Sequence, residues 1–245
     1  MIPRTTAPDF AAKLGAAAVH FYTASGVVLA FLVVLAAIRG RVSDALWLSV
    51  AAVVIDSTDG ALARRFQVRA TLPWFDGALL DNIVDYLTYV FAPIILLYQG
   101  DYLPSGALGL GLAALPLLAS SYQFCRVDAK TDDHFFLGFP SYWNIVAFYA
   151  IAGHADPTVL GAALLICSAL VFVPIRYIYP TRTRALMRWT LGLGSLWGIA
   201  VIAILSQMPH ATPWLVNATY LYVVYYVLAS LYLHLRRPPH GSIAR

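Results

Sequence analysis

Long apolar runs leave this chain few folds to choose from. They follow one another at 17–38, 44–63, 78–99, 104–124, 141–153, 157–175, 189–207 and 214–235, and a bilayer's hydrocarbon core takes about 20 such residues per helix. The pattern predicts an all-α fold: a polytopic membrane helix bundle of about eight transmembrane helices, read as a single domain over 1–245. The fifth run is short, and Gly153 to Pro157 is a turn signal, so it reads equally as half of a broken pair with the sixth. Composition agrees. Only 11% of residues are charged against 60% hydrophobic, and mean hydropathy is +0.73. Too little polar surface exists to cover a water-soluble globule, which excludes a cytosolic enzyme. The two cysteines, Cys125 and Cys167, offer neither a disulfide framework nor a zinc spacing, and the first residues carry no small-residue cleavage site after an apolar run.

Eight spans put both termini on one face. With the N-terminus cytoplasmic, that face receives 14 of the 16 Lys and Arg, leaving out only Arg39 and Arg41, a strong positive-inside bias. The expected location is the cytoplasmic (inner) membrane of a bacterium, with both termini in the cytoplasm.

The acids are unusual: all 12 are Asp. The second run closes on Asp56-Ser-Thr-Asp59-Gly60-Ala-Leu-Ala63-Arg64, and the third opens on Gly77-Ala-Leu-Leu-Asp81-Asn-Ile-Val-Asp85. Asp56, Asp59 and Ala63 fall on one stripe of a helix, and Gly77, Asp81 and Asp85 on another. A short loop makes the two helices antiparallel neighbours, so four carboxylates face one another near the cytoplasmic surface. Unpaired anions at that depth cost several kcal/mol each, and they take up protons or find cations. Hard divalent ions with oxygen ligands, Mn²⁺ or Mg²⁺, suit them, and two side by side form a clamp for phosphoryl transfer. Gly60, Ala63 and Gly77 leave room for close helix approach or a nucleotide. Asp76 and Asp101 read as ordinary caps.

The pattern D-x2-D-G-x2-A-R-x12-G-x3-D-x3-D closely resembles the signature of the CDP-alcohol phosphatidyltransferase family. Most of that family has x8 after the arginine. The x12 here, which places Pro73 and Trp74 in an insert, resembles the bacterial phosphatidylcholine synthase branch. Stretches at Val19–Gly26, Lys130–Asn144 and Pro174–Tyr177 are similar to that branch as well. The resemblance implies an enzyme that joins choline to CDP-diacylglycerol by metal-assisted direct displacement. It implies Asp56, Asp59, Asp81 and Asp85 as metal ligands for two ions, with Asp85 as the general base. It implies Thr23, Asp59, Gly60, Ala63, Arg64 and Gly77 along the CDP-diacylglycerol site, although His20 stands where the family has Asn. Arg176 is added as a candidate for lipid phosphate.

Choline carries a quaternary ammonium, which aromatic faces can hold. Tyr86, Tyr142 and Trp143 are the candidates, and packing is the bland alternative for each. Other acceptors remain open at this point: serine, inositol or glycerol 3-phosphate. A cation-coupled transporter is the rival of another class, disfavoured because these carboxylates sit on two helices at one face. The partners expected are membrane lipids and the two substrates, with no nucleic acid. The tyrosines of the last run suit a homodimer surface or a lipid-facing one.

Overall fold

The computed structural model describes residues 9–236. The ends that carry Arg4, Arg237 and Arg245, and on which the orientation of the termini partly rests, lie outside the described residues. Each apolar run is helical. The helices group into two compact units, one ending at Gly100 and one beginning at Asp101.

The first unit is built around α1 (Phe10–Ile38), which packs on every other element of the unit. It starts seven residues before the apolar run because Asp9 caps it, accepting a hydrogen bond from the Ala12 amide at 2.7 Å. Its buried residues Ala16, Val19, Thr23, Gly26, Ala30, Val33 and Ala37 alternate in steps of three and four. Such a seam of mainly small side chains lets helices approach closely in lipid. A turn through Gly40, with φ of +67°, leads into α2 (Val42–Arg65). A four-residue helix, α3 (Val68–Thr71), bridges to α4 (Gly77–Asp85). The chain then widens into a π-helical turn over Tyr86–Phe91 before α5 (Ala92–Gln99). Pro93 explains the widening: it has no N–H for the carbonyl of Tyr89, and its ring would clash there.

The second unit contains α6 (Gly106–Cys125), α7 (Trp143–Ala152), α8 (Pro157–Val171), α9 (Met187–Leu205) and α10 (Pro213–Leu235). Two three-residue strands, β1 (Phe135–Leu137) and β2 (Arg176–Ile178), pair antiparallel with Phe136 opposite Tyr177, where the sequence suggested only loops. One face of α10 finishes the sheet edge. Tyr226 Oη donates to the Ile178 carbonyl at 2.8 Å, and Ser230 Oγ and His234 Nδ1 accept the amides of Ile178 and Arg176 at 3.1 and 3.3 Å. A strand edge otherwise left bare is thus satisfied by side chains spaced four apart on a helix.

Among the described residues, six helical segments are long and apolar enough to cross a membrane, with Gly77–Gln99 counted as one. The fifth and sixth runs of the eight expected form shorter apolar helices. Helix α7 has 10 residues and α8 has 15, or about 15 and 22 Å of rise. Neither reaches the roughly 30 Å of a hydrocarbon core alone. Ser141, at φ +59°, and the Gly153 turn bound α7. Apolar side chains such as Phe31, Leu110 and Leu221 are well exposed, as on a lipid-facing surface. The chain is a multi-pass membrane protein.

Candidate active site

Both halves of the aspartate pattern fall in the first unit. Helix α2 presents Asp56 and Asp59, and α4 presents Asp81 and Asp85. Asp76 does what a cap does: its side chain accepts the amides of Ala78 and Leu79, both at 3.0 Å, and starts α4 at Gly77. That start sets the phase of the stripe on which Asp81 and Asp85 lie.

Asp56, Asp81 and Asp85 converge. Each offers a carboxylate oxygen, and these oxygens lie within 4.8 Å of one another. All three side chains are half-buried. Three like charges so close repel strongly in a medium of low dielectric constant. The donor set is oxygen only, which fits hard divalent cations such as Mg²⁺ or Mn²⁺.

Asp59 stands outside that group, although the stripe suggested four equal members. It is 6% exposed, and its Oδ2 accepts a hydrogen bond from Thr23 Oγ1 at 2.9 Å. Thr23 reaches it because it belongs to the buried seam of α1. Between the residues just before them, Tyr22 Oη and Thr58 Oγ1 share a bond of 2.8 Å. Asp56 receives a hydrogen bond as well, from Tyr89 Oη at 2.6 Å. Sequence reasoning missed that contact, although Tyr89 extends the spacing 77, 81, 85 by four more.

The small residues are used unevenly. At Gly26 an added Cβ would meet Val84 Cγ1 at 2.5 Å, so α1 and α4 touch there through glycine. At Gly77 it would meet His20 Cε1 at 2.8 Å; the histidine in place of the family's Asn rests on that glycine and on the Phe75 ring, 4.3 Å away. Gly60 has open space apart from the Arg64 guanidinium at 3.4 Å. Ala63 packs against the buried cluster of Ala16, Val19, Val68 and Leu72. The insert is therefore no loose loop. Val68 and Leu72 anchor it on α1, and Trp74, 78% exposed, is left outside. A cavity of about 310 Å³ opens beside Ala63, Arg64, Gln67 and Arg69.

Tyr86, half-buried, opens the π-helical turn that follows Asp85 in the first unit, and the other candidates belong to the second unit. Arg176 is buried on β2, ion-paired with Asp133 and stacked over Phe135 with Cζ 4.0 Å from the ring centre. The sequence offered it to lipid phosphate, whereas its charge is already matched within the unit. Trp143, which the sequence offered to choline, is fully buried: its indole N–H donates to Ser120 Oγ at 2.7 Å, and Phe139 packs edge-on at 5.1 Å. No face of the indole is open to a ligand. Tyr142 is half-buried, with Phe136 and Tyr226 at 6.3 and 6.2 Å. The tyrosines of α10 are also engaged: Tyr225 bonds Thr190 of α9 at 3.0 Å, and Tyr220 stacks on Tyr149 at 4.2 Å.

Known proteins place the chain. It is 36% identical to the phosphatidylcholine synthase of Borreliella burgdorferi over 220 residues, covering 88% of this chain and 92% of that protein. It is 38% identical to the phosphatidylcholine synthase of Legionella pneumophila over 221 residues, 87% and 86% of the two chains. The chain belongs to the phosphatidylcholine synthase family. A third member, from Pseudomonas aeruginosa, is 37% identical over 216 residues, 88% of this chain and 90% of that one. No protein-family model matches the chain. Membership agrees with the resemblance carried by the aspartate pattern, and it covers both units.

Proposed function

We propose that this protein condenses choline with CDP-diacylglycerol, giving phosphatidylcholine and CMP, at the inner face of a bacterial cytoplasmic membrane with both termini in the cytoplasm. The carrying observation is the convergence of Asp56, Asp81 and Asp85 at the join of α2 and α4, in a chain whose relatives bear that activity's name.

The three carboxylates would hold Mn²⁺ or Mg²⁺, with Asp59 joining through a small rotation away from Thr23 or through its second oxygen. The bound ions would neutralise the pyrophosphate and the charge building on CMP. Asp85 accepts the proton of the choline hydroxyl, an alcohol too weakly acidic to ionise at neutral pH. The choline oxygen forms a bond to the phosphorus that bears the diacylglycerol, and the bond from that phosphorus to the CMP oxygen breaks. CMP leaves with the bonding pair, and the proton passes from Asp85 to water. No covalent phosphatidyl-enzyme forms in this scheme. Thr23, Gly60, Ala63, Arg64 and Gly77 line the approach of the CDP group, the open face at Gly60 and the cavity beside Arg64 supplying the space. Tyr86, the residue after Asp85, is the aromatic wall offered to the quaternary ammonium.

Membranes containing the protein, given labelled choline, CDP-diacylglycerol and Mn²⁺, should form labelled phosphatidylcholine and stop when a chelator is added. Transfer to serine, inositol or glycerol 3-phosphate instead of choline would refute the acceptor assignment. Turnover that persists under chelation would refute the role of the carboxylates.

A further inference from the structure

We propose that Tyr89 is a positioning residue, whose phenol fixes the rotation of the Asp56 carboxylate so that the three acids open onto a divalent cation. This rests on the metal reading of the trio given above.

Tyr89 Oη donates to Asp56 Oδ2 at 2.6 Å, a length proper to a charge-assisted O–H···O⁻ bond. A half-buried tyrosine generally finds some partner, so the bond alone says little. Its setting says more. The acceptor is one of three carboxylates gathered within 4.8 Å, and the donor comes from the segment that carries the other two, joining α2 to it across the site. In an unbroken α-helix Tyr89 would stand directly over Asp85. Here the backbone from Tyr86 to Phe91 is π-helical, and the phenol ends on Asp56. Single π-turns inside helices occur often at functional sites.

The carboxylate needs such a partner. Its terminal torsion is soft and roughly twofold, and repulsion from Asp81 and Asp85 favours turning away from them. A phenol holding one oxygen removes that freedom and draws off part of the charge. Phenylalanine would fill the same space and do neither.

The test uses the whole protein in lipid nanodiscs, with manganese alone as the probe and its binding read by electron paramagnetic resonance. The proteins are the parent, Tyr89→Phe, Asp56→Asn and the double variant. Tyr89→Phe should raise the Mn²⁺ Kd about tenfold, as loss of a group that orients a ligand does. Added to Asp56→Asn, it should cost nothing further. An unchanged Kd in Tyr89→Phe, or an equal loss in both backgrounds, overturns the proposal while the parent's own binding upholds the metal reading. A folded parent that binds no Mn²⁺ overturns the metal reading and the proposal with it. Should Tyr89→Phe shift the metal-free unfolding midpoint, the double variant still decides, because a packing defect would add to Asp56→Asn instead of vanishing in it.

Discussion

The two units arrange their acidic and other polar side chains differently. In the second unit opposite charges and complementary donors meet: Arg176 with Asp133, Arg126 with Asp128 through two bonds of 2.8 and 2.7 Å, Trp143 with Ser120, and Trp197 with Tyr149 at 2.8 Å. In the first unit the ion pair Arg41–Asp44 sits at the far end of α2, and three carboxylates instead converge. Folding alone favours the first arrangement and opposes the second. A cluster that folding opposes marks where binding and chemistry are expected to repay the strain.

The largest effect expected is at Asp85. Asp85→Asn should lower kcat about 10³-fold or more, in the range for loss of a general base. The same change removes one of three repelling charges, so the metal-free protein should unfold no earlier than the parent. An Asp85→Asn protein that keeps ordinary turnover, or loses activity only because it unfolds, would erase the contrast between the units.

Trp143 comes next and tests the second unit. Trp143→Ala should cost about 3 kcal/mol of stability through the cavity it leaves. Trp143→Phe should cost about 1 kcal/mol, for the bond to Ser120. In both, the choline KM of the folded fraction should stay at the parent's value. A raised choline KM in Trp143→Phe with an unchanged midpoint would return the residue to the substrate.

Thr23→Val sharpens the comparison inside the first unit. It strips a donor from a buried carboxylate, an effect of about 2 kcal/mol. Asp59 would then be drawn toward the cations or left unsatisfied. Metal-free stability should fall by that amount, and Thr23→Ser should restore it.

How legible these arrangements were follows from how far apart their causes lie in the chain. The stripes 56-59-63 and 77-81-85 are local consequences of helical period, and the short connection between their helices pointed to the meeting of Asp56 with Asp81 and Asp85. Asp59's turn toward Thr23 depends on a residue 36 positions away and left no local trace. Tyr89 had a signal in its four-residue step from Asp85, but its bond to Asp56 joins residues 33 positions apart. The insert's shape depends on Val68 and Leu72 finding Ala16 and Val19. The strands are three residues each and 41 apart in sequence, from Phe135 to Arg176, too short and too distant for a periodic signal. With them went the pairing of Arg176 to Asp133, for a conspicuous arginine near a membrane face reads as well for phosphate as for a carboxylate.

The smallest effect belongs to that pair, and it is read through pH. Burial pushes the Asp133 carboxyl up, but hydrogen bonds from Thr131 and Arg176, with the charge of Arg176, more than offset it, so its pKa lies below the usual carboxylate value. A carboxyl lowered by folding stabilises the fold above its unfolded pKa, near 4, and that contribution disappears as pH falls through the folded value. Because the Asp133 side chain is 63% exposed, solvent screening holds the contribution to about 1 kcal/mol or less. Asp133→Asn should therefore lower the unfolding midpoint slightly at pH 7, and the gap from the parent should close below about pH 4. Arg176→Gln should do more than Asp133→Asn, since it also removes the stack on Phe135 and leaves Asp133 without its guanidinium partner. A gap between parent and Asp133→Asn that stays constant from pH 7 into acid would mean that Arg176 is held by its packing on Phe135 instead of by charge.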